Sequence, residues 1–192
     1  MKIAFLLGSP EISGGTYVIF EHATRLQAIG HTVIIVTEEI VTPQRYAWHP
    51  EAGRLLWRSL EEVRNDAFDF VIATWWHSVE KLGKLHARKY VYFVQSIESR
   101  FLPPQDPEIY AQRDIDIINA WCEDTYALNV PVITEAHWIQ SYLFERYNRL
   151  AAVVRNGIRK DIYCADGPAY AERREGNLRV LVEGPLGVSY KN

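Results

Sequence analysis

The chain has 192 residues, of which 48% are hydrophobic and 23% charged, with a formal net charge of −3. That is enough apolar material for one ordinary core, without the basic face that a nucleic-acid surface requires. No apolar run reaches the roughly eighteen residues of a membrane-spanning helix, and Met1 leads straight into a strand rather than a signal sequence. Two cysteines, Cys122 and Cys164, form no C-x-x-C pair, so a reducing, cytoplasmic setting is expected.

The first element is an apolar strand from Lys2 to Gly8. A polar turn follows and ends in Ser13-Gly14-Gly15-Thr16. Val18, Ile19, Ala23, Leu26 and Ile29 then recur at spacings of three and four, which predicts one buried face of a helix. Gly30 stops that helix, because a left-handed C-terminal residue costs least without a Cβ. His31 is read as structural, and Thr32 to Val36 is the second strand. Strand, glycine-rich turn, helix and strand make a βαβ unit. Ligands of open α/β sheets bind beyond the carboxyl ends of the strands, so the Gly14-Gly15 turn lies where a ligand would lie.

Two nucleotide motifs fail at this turn. Gly8 to Gly15 does not supply G-x-G-x-x-G, and a P-loop would need lysine where Gly15 stands. The paired glycines therefore have two open readings. They form a tight turn only, or they let sugar hydroxyls or a phosphate approach the amides of a helix N-terminus. A positive φ at Gly15 would make valine intolerable there.

Residues 38 to 50 form a polar, proline-marked connection. Arg54 to Trp57 is either a short strand or the start of a helix running to Val63. Phe68 to Trp75 is continuous in apolar character, as in a strand covered on both faces. Trp76-His77-Ser78 follows, then a predicted helix to about Ala87 that carries Val79, Leu82 and Leu85. Lys81, Lys84, Arg88 and Lys89 read as its solvated face. Tyr90 to Val94 is the next strand and ends in Gln95-Ser96-Ile97-Glu98.

Prolines 103, 104 and 107 mark residues 99–107 as a surface loop. Glu108 to Leu128 is the longest predicted helix, with Ala111, Ile115, Ile118 and Cys122 along one stripe. Cys122 is accordingly a structural thiol. A strand over 131–134, a helix from His137 to Tyr147 and a strand over 151–154 complete the alternation. The whole predicts a three-layer α/β/α Rossmann-like domain, a doubly wound parallel sheet. Six tryptophans and eleven tyrosines against seven phenylalanines suit core edges first and sugar faces second.

The order Gly14-Gly15, Leu26, Gly30-His31 and Val33 resembles the first loop and helix of GT-B glycosyltransferases, particularly the retaining family 4 (group 1) enzymes. The second half, Val132-Ile133-Thr134, Trp138-Ile139, Leu143, Tyr147, Val153-Val154, Asn156-Gly157-Ile158 and Tyr163, is similar to the end of their acceptor domain. Arg159 stands where that family has aspartate, which puts the geometry of this loop outside the resemblance. Phe93-Val94-Gln95 with Glu98 resembles the rhamnosyltransferase-like members.

The resemblance implies the first half of a GT-B fold, with residues 1–176 as the acceptor-side domain and 177–192 as the opening of a second, donor-binding domain. It implies retaining transfer from a nucleotide-sugar donor to a saccharide or lipid-linked acceptor, in polysaccharide biosynthesis. No metal and no cofactor beyond the sugar nucleotide are expected. A peripheral membrane contact of the full-length enzyme is compatible with it. Without the C-terminal domain the chain is expected to be inactive.

The expected binding residues are Gly14, Gly15, Thr16, His77, Gln95 and Glu98, all placed in loops at the carboxyl ends of strands. No catalytic residue is assigned. Gln95 holds a position often occupied by histidine in the family, and an amide can orient a substrate but cannot take a proton. Two rival readings stay open, a non-catalytic saccharide-binding module and a nucleotide-binding Rossmann-like domain. Residues 177–192, with the apolar Leu178, Val180 and Val182, are expected to stay mobile or to find substitute burial.

Overall fold

In the computed structural model, residues 1–100 and 112–160 are described. The chain divides into two compact units, Met1–Asn156 and Gly157–Asn192. Of the second, only residues 157–160 fall among those described. The expected boundary at 176/177, the tail 177–192, Cys164, Tyr163 and the proline-rich loop beyond residue 100 lie outside them.

The first unit is built on a seven-stranded sheet in which every neighbouring pair is parallel. The strands are β1 (Lys2–Leu6), β2 (Thr32–Thr37), β3 (Leu56–Ser59), β4 (Ala67–Ala73), β5 (His86–Val94), β6 (Val132–Thr134) and β7 (Ala151–Val153). Their order is β3-β2-β1-β4-β5-β6-β7, so the direction of winding reverses between β1 and β4. Ala4 accordingly pairs with Ile34 on one side and Val71 on the other. This is the doubly wound Rossmann-like sheet expected.

Alternation along each strand sends side chains to two cores. Ile3, Phe5, Val33, Ile35 and Phe93 pack under helix α1 (Gly14–Ala28). Ala4, Leu6, Val36, Val71, Tyr92 and Val94 pack under α2 (Trp76–Val79), α3 (described over Gln112–Ala127) and α4 (His137–Tyr147). Among the described residues, no helix is long and apolar enough to cross a membrane.

Helix α1 begins earlier than expected, taking in Gly14 and Gly15, which the sequence reads as a turn. The Ser13 side chain accepts from the Thr16 amide at 3.0 Å, which satisfies one of the donors orphaned at a helix start. Gly30 ends the helix at φ 93°, while the His31 amide reaches back to the Leu26 carbonyl. The buried face differs by one position from the expected stripe. Phe20 is fully buried, and Ile29, at the helix end, is 71% exposed. Phe20 lies there because Trp48 and Trp57 close over it, with ring centroids at 5.4 and 5.5 Å. These indoles stand at a core edge, with Trp48 Nε1 donating to Pro10 O and Trp57 Nε1 to Ala52 O.

Two elements resolve differently from the pattern. Residues 56–59 are a strand, paired with β2 and preceded by a short tight turn at Ala52–Arg54. The helix expected to reach Ala87 is a single turn, followed by a tighter turn at Leu82–Lys84. β5 then begins at His86 rather than Tyr90. Val79, Leu82 and Leu85 are all buried, but their strict spacing of three fits a three-residue turn as well as an α-helix. The Tyr90 hydroxyl, donating to Leu85 O at 2.6 Å, anchors the entry into the strand. Lys84, Arg88 and Lys89 are exposed, whereas Lys81 is largely covered and pairs with Glu38 at 2.5 Å. In α3, Ile115, Ile118 and Cys122 face inward as expected, joined by Thr125 and Tyr126.

Candidate functional site

Polar groups gather where β1, β4, β5, β6 and β7 end. On the α1 side, Gly15 and Gln95 meet. A Cβ added at Gly15 would stand 3.4 Å from Gln95 Nε2 and 3.6 Å from Oε1. Gly15 lies inside the helix. Among the described residues only Gly30 and Asn148 have positive φ, so its reason for being glycine is this approach and not its backbone angle. Gln95 Oε1 is buried without a hydrogen-bond partner. A buried acceptor left unpaired costs free energy, which makes this atom a natural place for an incoming donor.

Gly14 is exposed, and a Cβ there would meet nothing within 4 Å. Thr16 is buried, and its hydroxyl is already used. It accepts from Ser13 Oγ at 2.8 Å and donates to Ser9 O at 3.2 Å, which ties the loop after β1 to the start of α1.

Three further groups share this side. His22, two turns after Gly15 on the same helix face, packs edge-on against Phe93 at 5.7 Å and is hydrogen-bonded to Asn156. Asn156 Nδ2 in turn donates to Glu135 Oε2 at 2.6 Å. Burial holds the His22 imidazole below its ordinary pKa, partly offset by the Asn156 hydrogen bond, so it is neutral at neutral pH. His22 and Glu135 belong to no motif in the sequence, and Asn156 stands in one only as part of Asn156-Gly157-Ile158. Their signals are positional, His22 seven residues beyond Gly15 and Glu135 immediately after β6.

His77 and Glu98 sit apart from these groups, on the α2 side of the sheet. Glu98 Oε2 accepts from the Trp76 amide at 3.1 Å, and the Glu98 amide donates to Tyr126 Oη at 2.9 Å. Burial pushes the Glu98 carboxyl up to about 8, against the opposing effect of the Trp76 hydrogen bond. It is protonated and neutral at pH 7, rooted under α2. The His77 ring is bounded by Trp75, Trp76 and Trp121 at 5.3 to 5.7 Å. The six expected residues therefore occupy two places. Gly14, Gly15, Thr16 and Gln95 cluster at the start of α1, and His77 and Glu98 surround the start of α2.

The reversal point between β1 and β4 is itself filled. The Trp75 indole lies on Gly8, where a Cβ would fall 2.5 Å from Trp75 Cε3. A dinucleotide of the Rossmann kind needs open backbone at the end of β1, and here an indole covers it. Among the described residues no group of three or more His, Cys, Asp or Glu side chains could hold a metal ion.

Fold and site together define a Rossmann-like α/β domain with a cluster of polar groups beyond the carboxyl ends of its strands. No protein-family profile matches the chain, and no curated protein matches it by sequence. Among solved structures it is similar to sucrose-phosphate synthase from Thermosynechococcus elongatus, with a TM-score of 0.55 at 12% identity, over 85% of this chain and 50% of that one. A protein from Lactobacillus casei is matched with a TM-score of 0.38 at 16% identity, over 70% of this chain and 72% of that one, and carries no weight. The chain thus spans half the length of the synthase, and the likeness is one of fold alone.

Proposed function

We propose that this chain is the acceptor-side half of a retaining glycosyltransferase of the GT-B kind, of the family 4 type and near its rhamnosyltransferase-like members. The observation that carries the reading is the meeting of Gly15 and Gln95, with an unpaired buried amide oxygen beside the bare first turn of α1. The likeness of fold to sucrose-phosphate synthase supports it. On this reading Gly14 and Gly15 leave the first amides of α1 open to a ligand oxygen. Gln95 accepts a hydrogen bond from a hydroxyl of the saccharide or lipid-linked acceptor, or of the donor sugar, and orients it without taking its proton. Neutral His22, held by Asn156, lines the same side. The leaving nucleotide diphosphate falls to a second domain, as does most donor affinity, since transfer needs both substrates held in near-attack geometry.

The rival reading as a nucleotide-binding Rossmann-like module is disfavoured by Trp75 over Gly8. The test compares the 192-residue chain with the product of the complete open reading frame in release of nucleoside diphosphate from UDP-, GDP- and dTDP-sugars. The reading expects release by the complete product only, and loss of release in Gln95→Ala. Turnover by the 192-residue chain, or full activity in Gln95→Ala, would overturn it.

A further inference from the structure

Away from that polar cluster, a groove of about 550 Å³ opens between α2, with the turn following it, and the C-terminal half of α3. Its volume lies within the range of small-molecule pockets, roughly 300 to 1,000 Å³. Leu82, Tyr90 and Val130 form an apolar floor. Trp121, 43% exposed, is one wall, and its indole N–H donates to the Glu80 carboxylate across the mouth. Asp124 is the second carboxylate among the lining residues, and no lysine, arginine or histidine lines the groove. The hydroxyls present are already engaged, with Thr125 Oγ1 donating to Cys122 O and Tyr90 Oη to Leu85 O.

An apolar floor beneath two carboxylates fits one ligand chemistry. We infer that this groove binds an amphiphile with an aliphatic or aromatic body and a cationic head, the body on Leu82, Tyr90 and Val130 and the head beside Glu80 and Asp124. Anionic amphiphiles, diphosphate-linked lipids included, meet like charge at the rim. Trp121 also borders His77, at 5.7 Å, so the groove and the rim of the sheet share one indole. The inference stands on the groove alone and does not depend on the glycosyltransferase reading.

Gly83 provides the decisive variant. It lines the groove, its φ is not positive, and a Cβ there would meet nothing within 4 Å. Gly83→Leu therefore fills space without strain. The experiment titrates the full chain with octylammonium, octanol and octanoate, each below its micelle concentration, by calorimetry with the melting temperature recorded for every variant. The expected result is one octylammonium bound per chain, with octanoate weaker by about fivefold for a rim of partly exposed charges. Asp124→Asn should narrow that preference, and Gly83→Leu should abolish binding while leaving the melting temperature within a few degrees. Equal affinity for all three heads, no octylammonium binding, or unchanged binding in Gly83→Leu would each overturn the inference. So would concentration-dependent self-association of the chain that Gly83→Leu removes, which would assign the groove to a second copy.

Discussion

The indole of Trp75 lies directly on the backbone of Gly8, so that a single methyl at position 8 would come within 2.5 Å of its ring. The contact joins the loop after β1 to the loop after β4 across the point where the sheet reverses direction. Gly8→Ala should therefore destabilise the protein by about 1 to 3 kcal/mol, the usual cost of overpacking. Denaturant melts of Gly8→Ala, Trp75→Ala and the double variant test this. If the double variant is no more stable than the sum of the singles allows, the two residues are not coupled as described.

Gly15 separates function from stability. Its backbone is helical, so valine is sterically allowed, and replacing a helical glycine can even recover a few tenths of a kcal/mol. The methyls of valine would instead displace the Gln95 amide, 3.4 Å from the Cβ position. If the proposed function holds, Gly15→Val in the full-length protein should cut transfer at least about tenfold, as expected for loss of one or two hydrogen bonds to the substrate. The melting temperature should change by no more than a few degrees. Activity close to that of the parent protein would reduce the glycine pair to a turn.

Glu98 makes stability depend on pH in an unusual direction. Its folded pKa of about 8 lies above the ordinary 4.5, so the folded protein binds the proton more tightly than the unfolded chain. The contribution is fully present below pH 4.5 and is lost as pH rises through about 8. The slope from one such group is at most about 1.4 kcal/mol per pH unit. Glu98→Gln keeps an acceptor for the Trp76 amide and removes the titration. Its stability should be flatter than that of the parent protein across this interval. Parallel curves for the two would exclude Glu98 as the source.

Cys122 should be inert. It is fully buried beside Tyr126, and burial pushes its thiol up to about 12. Iodoacetamide at pH 8 should leave the Cys122 peptide unmodified in the folded protein and label it in denaturant. Rapid labelling without denaturant would show that α3 opens readily from the sheet.

The alternation of strands and helices and the end of α1 at Gly30 were legible in the chain itself, because apolar periodicity and a left-handed glycine act within a few residues. The start of α1 was not, since Gly14 and Gly15 read as a turn and belong to the helix that Ser13 caps. The pairing of Gly15 with Gln95 was legible only as a shared address beyond strand ends, because parallel topology carries every such loop to one edge of the sheet. Three further things needed the tertiary structure. Spacing alone could not tell a helix from a tight turn over residues 76–85, where Val79, Leu82 and Leu85 satisfy both, and pairing of His86 with Ala67 decided between them. Trp75 against Gly8 and His22 against Asn156 join residues 67 and 134 positions apart, distances over which no local pattern survives. Last, the six expected site residues share one edge yet divide between two faces. Side chains alternate across a strand, so Gln95, just past β5, turns toward α1, while the turn that follows carries Glu98 beneath α2.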